Sequence, residues 1–190
     1  MITQVLVLNG PNLGRLGLRE PHIYGTQTYD DLVELCRDTG RKLGVHVDVR
    51  QTDSEAELIG WVHEAADGRV PVVLNAGALT HYSIALMDAV KMRTAPLVEV
   101  HISNLAARAA VEPFRRESLL TAVADGIIAG FGFASYQLGL QAIAALTAES
   151  QATASVEGQA QQAQQPQQAQ ETLQQAQAHA QTQASAPERA

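Results

Sequence analysis

The chain alternates between two kinds of segment. Short apolar runs, VLVLN (5–9), VHVDVRQ (45–51), PVVLNAG (71–77), APLVEVHIS (95–103) and DGIIAGFG (125–132), are rich in β-branched residues. Between them lie segments with helical spacing: TYDDLVELCRDTGRKLG (28–44), SEAELIGWVHEAADG (54–68), THYSIALMDAVKM (80–92) and, last, ASYQLGLQAIAAL (134–146). Strands that are apolar almost throughout are covered on both faces, and strands separated by helices run parallel. Five of them predict an α/β fold, a flavodoxin-like doubly wound five-stranded parallel sheet with helices on both faces. Ligands of such sheets bind at the carboxyl ends of the strands.

Local punctuation supports the alternation. Thr28 and Asp31 read as a helix start and Gly44 as its end; Ser54-x-x-Glu57 reads as a capping box, with Gly68 closing that helix. The stretch 104–120 has neither period and reads as irregular. Near residue 147 the composition changes. Residues 147–190 are mostly Gln and Ala, with Val156 and Leu173 as the only larger apolar side chains. Such a tail buries too little surface to offset its ordering entropy, which predicts a catalytic domain over 1–146 and a disordered Gln/Ala-rich tail over 147–190.

Net charge is −7, of which residues 1–146 carry −4, from 12 Lys and Arg against 16 Asp and Glu. This mild acidity predicts no general affinity for nucleic acid or an anionic membrane. The single cysteine, Cys36, excludes an intramolecular disulfide and suits a reducing compartment. The opening MITQVLVLNG has no basic segment before its apolar run, which argues against a signal peptide, and no apolar run approaches eighteen residues. The expected location is the cytoplasm.

Functional side chains are expected just after the strands. There the chain offers Asn9, Asn12, Arg15, Arg19, Tyr24, Asn75, His81, Glu99, His101, Ser103, Asn104, Arg108, Arg115 and Arg116. Asn9 and Asn12 flank Gly-Pro and equally serve to shape turns; Asn75 equally ends a strand, and His81 equally starts a helix. His101 is different. It closes an apolar strand with Glu99 two residues earlier on the same face, and a buried carboxylate–imidazole pair is costly unless it orients the ring for use. The loop NGPNLGRLGLREPHIYG (9–25) holds four glycines and two prolines, yet carries Arg15, Arg19 and Tyr24.

Other chemistries find no support. No Cys/His cluster has zinc-ligand spacing, the first strand–helix turn has no phosphate-binding glycine motif, and no Gly-x-Ser-x-Gly elbow is present. Both lysines, Lys42 and Lys91, fall near helix ends, where a cation complements the dipole. The chemistry is left to Tyr, His, Arg and Asn.

The motifs NGPNLGRLGLREPHIYG, RQTDSEAELIGWVHEA, LNAGALTHYSIALMDA and PLVEVHISN, in that order over about residues 3–146, resemble the type II 3-dehydroquinate dehydratases. The resemblance implies a cofactor-free, metal-free hydro-lyase that converts 3-dehydroquinate to 3-dehydroshikimate by anti elimination through an enolate. It implies Tyr24 as the base, made anionic by Arg19 when the loop closes, and His101 as the acid, its ring held by Glu99. Asn12 would place a water at the enolate oxygen. Asn75, His81, Ser103, Arg115 and the backbone of Ile102 would bind substrate, and Asp88 would reach a neighbouring subunit's site. The family forms trimers assembled into dodecamers, which implies a homo-oligomer here.

The chain departs from the family pattern after Asn104. Ala106 replaces a histidine, about three residues are added before Phe114, Glu117 replaces a common histidine and Leu119 a tyrosine; Tyr82 stands where a small residue is usual. The insertion leaves Arg115 and Arg116 as alternatives for one ligand position. It also motivates a second reading, a non-catalytic or re-purposed paralogue that binds a related cyclic hydroxy acid. A flavin-binding module would rest on fold analogy alone.

Overall fold

In a computed structural model of the chain, the structure describes residues 3–18 and 26–150. Five parallel strands, β1 (Gln4–Asn9), β2 (His46–Gln51), β3 (Val72–Asn75), β4 (Leu97–His101) and β5 (Gly126–Ala129), form one sheet in the order β2-β1-β3-β4-β5. The helices are α1 (Tyr29–Leu43), α2 (Glu55–Gly68), α3 (Ile84–Lys91), the single turn α4 (Leu105–Arg108), and α5 over 134–150. This is the doubly wound arrangement that the alternation predicts. No helix among the described residues is long and apolar enough to cross a membrane.

The two-residue period of the strands sorts the core into two layers. Val5 and Val7 of β1, Val73 of β3, and Val98 and Val100 of β4 pack with Leu32 and Cys36 of α1 and with Tyr136, Leu140 and Ile143 of α5. Their neighbours Leu6, Leu8, Val72, Leu74 and Leu97 pack on the other face with Leu58 and Val62 of α2 and Leu86 and Val90 of α3. Burying each such side chain contributes about 1.5–3 kcal/mol, so both helical layers are needed to hold the sheet.

Helix ends follow local chemistry, with corrections to the sequence reading. Thr28 and Asp31 form a reciprocal capping box at α1, and Gly44 closes that helix at φ 72°. At α2 only half of the expected box forms. Ser54 Oγ accepts from the Glu57 amide, but the Glu57 carboxylate turns to the hydroxyl of Thr52 at 2.5 Å, and the Ser54 amide donates to that same Thr52 oxygen. α2 ends at Gly68 as expected, and the residue that follows, Arg69, is left-handed at φ 54°. The helix read over 80–92 splits into a 3-10 segment, Gly77–His81, and α3, because Ser83 caps the amide of Leu86 and restarts the helix there. The stretch read as irregular holds α4 and a 3-10 turn, Pro113–Arg116.

One close approach fixes the sheet's carboxyl edge. The register sets Asn9 level with Gln51 of β2 and Asn75 of β3. Immediately beyond, the Gly10 amide donates to Asn75 O at 2.8 Å. A Cβ on Gly10 would lie 2.5 Å from the carbonyl oxygen of Ala76, so only glycine lets the loops after β1 and β3 touch. Gly10→Ala is expected to cost about 1–3 kcal/mol through this overlap. A lower denaturant midpoint with unchanged slope is the expected readout; a wild-type midpoint would show that the contact relaxes freely.

Candidate active site

The strand order reverses between β1 and β3, and a solvent-open cleft of about 650 Å³ lies at that switch point. Its walls come from the loop after β1 (Asn12, Leu13), the end of β3 and its 3-10 segment (Asn75, His81), the end of β4 (His101, Ile102, Ser103) and the segment beyond (Arg108, Arg115). Each is brought by the carboxyl end of a strand, where the parallel sheet delivers its loops.

Behind the cleft lies a buried carboxylate–imidazole pair. Glu99 is fully buried and His101 is 5% exposed. His101 Nε2 lies 2.7 Å from Glu99 Oε1, and the same oxygen accepts from Thr80 Oγ1 at 2.8 Å and Ser118 Oγ at 2.7 Å. Thr121 Oγ1 donates to Oε2 at 2.5 Å. Burial alone would push this carboxyl up; the hydrogen bond and charge of His101, with the hydroxyls of Thr121 and Ser118, outweigh it and hold Glu99 below the usual carboxylate range. An ionised Glu99 accepts only, so Nε2 of His101 carries the hydrogen, and Nδ1 is the ring nitrogen left for the cleft.

His81 is held by its opposite nitrogen. Nδ1 donates to the Glu117 carbonyl at 2.8 Å, which leaves Nε2 as an acceptor, buried and without a hydrogen-bond partner among the described residues. Burial lowers its pKa, and the charges of Arg115 and His101 push the same way against the Glu117 carbonyl. A neutral imidazole that presents a lone pair suits a ligand hydroxyl.

Asn75 is oriented from below. Its Nδ2 donates to Tyr136 Oη at 2.7 Å, Tyr136 donates to Asn9 Oδ1 at 2.7 Å, and Asn9 Nδ2 donates to Arg50 O at 3.1 Å. Asn75 Oδ1 accepts the Gly77 amide at 3.2 Å, which fixes the amide's sense. Burial raises the Tyr136 phenol well above its ordinary value, so it stays neutral as a relay.

The remaining assignments divide. Asn12 lines the cleft in the left-handed region at φ 69°, its amide donating to Asp53 Oδ1 at 2.7 Å. Ile102 and Ser103 line it, as does Arg115; Arg116 is exposed and does not. Asp88 lies outside it on α3, 62% exposed and 3.0 Å from Lys91 Nζ. Arg15 is exposed at the end of the 3-10 turn Leu13–Arg15, and Asn104 caps α4 through the Ala107 amide at 3.1 Å. Arg19 and Tyr24 lie outside the described residues. Sequence reasoning missed Thr80, Ser118, Thr121 and Tyr136. The signal for Tyr136 was present, as a lone hydroxyl on the apolar stripe it shares with Leu140 and Ile143. Among the described residues no group of three or more His, Cys, Asp or Glu is placed to hold a metal ion.

The hydroxyl cage has a pH consequence. Because Glu99 is depressed in the folded state, its contribution is fully present above the unfolded carboxylate value and is lost as pH falls through the folded one. Thr121→Val removes one donor to the charge, which should cost about 1.5–3 kcal/mol and move the acid-unfolding midpoint to higher pH. An unchanged midpoint would show that Thr121 does not hold the charge.

Comparison with known proteins bears directly on this cleft. The family model described as dehydroquinase class II matches residues 3–144. The 3-dehydroquinate dehydratase of Salinispora arenicola is 61% identical over 142 residues, spanning 75% of this chain and 97% of that protein. The enzyme of the same name from Mycobacterium tuberculosis is 54% identical over 140 residues, 74% of this chain and 93% of its own. The crystal structure of a type II dehydroquinase from Propionibacterium acnes superposes with a TM-score of 0.73 at 55% identity, covering 76% of this chain and 98% of that one. With most of its length matched by the family model and by such relatives, the chain belongs to the class II dehydroquinase family.

Proposed function

We propose that this protein is a hydro-lyase of the shikimate pathway, which removes water from 3-dehydroquinate to give 3-dehydroshikimate. The observation that carries the reading is the buried Glu99–His101 pair, whose imidazole faces a cleft also lined by Asn12, Asn75, His81 and Arg115. The reaction needs a base for the proton α to the ketone, a stabiliser for the enolate, an acid for the β-hydroxyl and an anchor for the carboxylate.

In this scheme the Tyr24 phenolate takes the α proton. A free phenol, with pKa about 10, is only about 0.1% ionised near neutrality, so Arg19 supplies the positive charge that favours the anion, more strongly as water is shut out. The enolate oxygen is met by a water held at Asn12. His101, oriented through Nε2 by Glu99 and acting as the imidazolium, gives its Nδ1 proton to the departing hydroxyl on the opposite ring face and becomes the neutral Nε2–H form, and water leaves as the double bond forms. The amides of Ile102 and Ser103 anchor the carboxylate, with the Ser103 hydroxyl beside them; Asn75, His81 and Arg115 take the ring hydroxyls. No step calls for a metal or organic cofactor. The protein works as a homo-oligomer, a dodecamer of trimers in which Asp88 reaches a neighbouring subunit's site, and acts in the cytoplasm. The catalytic domain read over 1–146 extends through α5, which runs on to residue 150, and the Gln/Ala-rich tail beyond takes no part in the chemistry.

Turnover is read directly, since the product enone absorbs in the near ultraviolet. The purified protein is expected to turn over 3-dehydroquinate in the presence of chelator and after borohydride treatment. Tyr24→Phe should lower kcat by about 10²–10⁴ with an unchanged circular dichroism spectrum. Wild-type turnover in that variant would remove Tyr24 as the base, and tight binding without turnover by the wild-type protein would overturn the enzymatic reading itself.

A further inference from the structure

The segment that departs most from the family pattern carries a charge cluster behind the cleft wall. In Arg108-Ala-Ala-Val-Glu112-Pro-Phe-Arg115, the Glu112 amide donates to Arg108 O at 2.9 Å and the Arg115 amide to Glu112 O at 2.9 Å. One helical turn and one 3-10 turn therefore bring side chains 108, 112 and 115 to the same side. Glu112 Oε2 accepts from Arg108 Nε at 3.1 Å and Nη2 at 2.7 Å, and from Arg115 Nε at 2.7 Å; Oε1 accepts from Arg115 Nη2 at 3.1 Å. The carboxylate thus grips each guanidinium along its Nε–Nη2 edge. The Arg115 guanidinium also lies over the Phe114 ring, 4.9 Å from its centroid. The arginine side chains are 14% and 12% exposed and both residues line the cleft, whereas Glu112 is 34% exposed and does not.

We propose that Glu112 is a positioning residue for substrate binding, which acts through Arg115 by holding that guanidinium with its Nη1 edge turned to the cleft. The proposal rests on the reading of Arg115 as a ligand contact. An arginine of free rotamer must surrender that freedom on binding, whereas one tethered along its rear edge has surrendered it already. Glu112 takes no hydrogen bond from Nη1, so the tether leaves that donor for a ligand hydroxyl. The carboxyl group stays ionised throughout the working range: the Arg115 hydrogen bond, helped by Arg108, pulls its pKa to about 2 against the opposing effect of desolvation. The added residues before Phe114 are thereby compatible with a rigid ligand arginine, because the acid they bring into register fixes its side chain.

The test is a double-mutant cycle with 3-dehydroquinate in the full-length protein, using Glu112→Ala, Arg115→Ala and the pair. Glu112→Ala is expected to raise KM about 5–20-fold with kcat within about twofold, the signature of lost binding and not of lost chemistry. In the Arg115→Ala background the same substitution should change KM by less than about twofold, since the interaction it removes is already gone. Glu112→Gln, which keeps the shape and one acceptor but not the charge, should fall between wild type and alanine. If Arg115→Ala raises KM while Glu112→Ala leaves it unchanged or lowers it, the positioning role is overturned and the Arg115 assignment stands. If neither substitution changes KM, the Arg115 assignment falls and the proposal with it. An equal KM rise from Glu112→Ala in both backgrounds would also overturn it, since Glu112 would then act by another route.

Discussion

A carboxylate with no solvent exposure sits inside a parallel sheet, and the arrangement of the cleft follows from how its charge is satisfied. Glu99 occupies the same side of β4 as Leu97, a side otherwise packed with leucine and valine. Desolvating such an ion is expensive, and it persists only where hydrogen bonds meet most of its lone pairs. Here the partners come from three places: Thr80 after β3, His101 on β4 itself, and Ser118 with Thr121 before β5. Ser118 Oγ also accepts the amides of Leu120 and Thr121, each at 3.1 Å, so the donor is itself held. One charge thereby ties together the segments that carry His81, His101 and the approach to Arg115.

The parallel topology explains why these groups meet. β1 pairs with β2 on one side and β3 on the other, so the loops after β1 and β3, which touch at Gly10 and Ala76, form adjoining walls of the cleft at the switch point. Two polar systems support its walls from below. The Asn75–Tyr136–Asn9 relay fixes an amide, and the Glu99 cage fixes an imidazole. Each leaves one polar group toward the cleft and satisfies its partners inward, the usual means by which a scaffold holds chemistry still. The two histidines are held by opposite nitrogens, so they present opposite faces: His101 its Nδ1 and His81 its Nε2.

Much of this was legible from residue order. β1, β3 and β4 were readable because they are buried on both faces, the edge strands β2 and β5 from their β-branched runs, and Thr28, Asp31 and Gly44 marked α1 as expected. The Glu99–His101 pair was legible because two polar residues at period two inside an apolar strand have to share a side. The misses share a cause: tertiary partners decide them. Glu57 completes the Ser54–Glu57 box only if no better donor lies near, and Thr52 supplies one. Thr80 and Thr121 look like ordinary helix-start and turn residues until the sheet brings Glu99 beside them. The break before α3 depends on Ser83, which also hydrogen-bonds Glu55 from α2. Which of Arg115 and Arg116 lines the cleft depends on the pitch of one 3-10 turn, which spacing alone does not fix.

The account as a whole turns on the tautomer that Glu99 imposes on His101. Side-chain nitrogen-15 NMR of the labelled protein reads it directly, with the His101 signals assigned by their loss in His101→Gln. In the neutral form the hydrogen is predicted on Nε2 of His101. A neutral His101 with its hydrogen on Nδ1 would contradict the account, because the ring nitrogen facing Glu99 would then carry no hydrogen to donate.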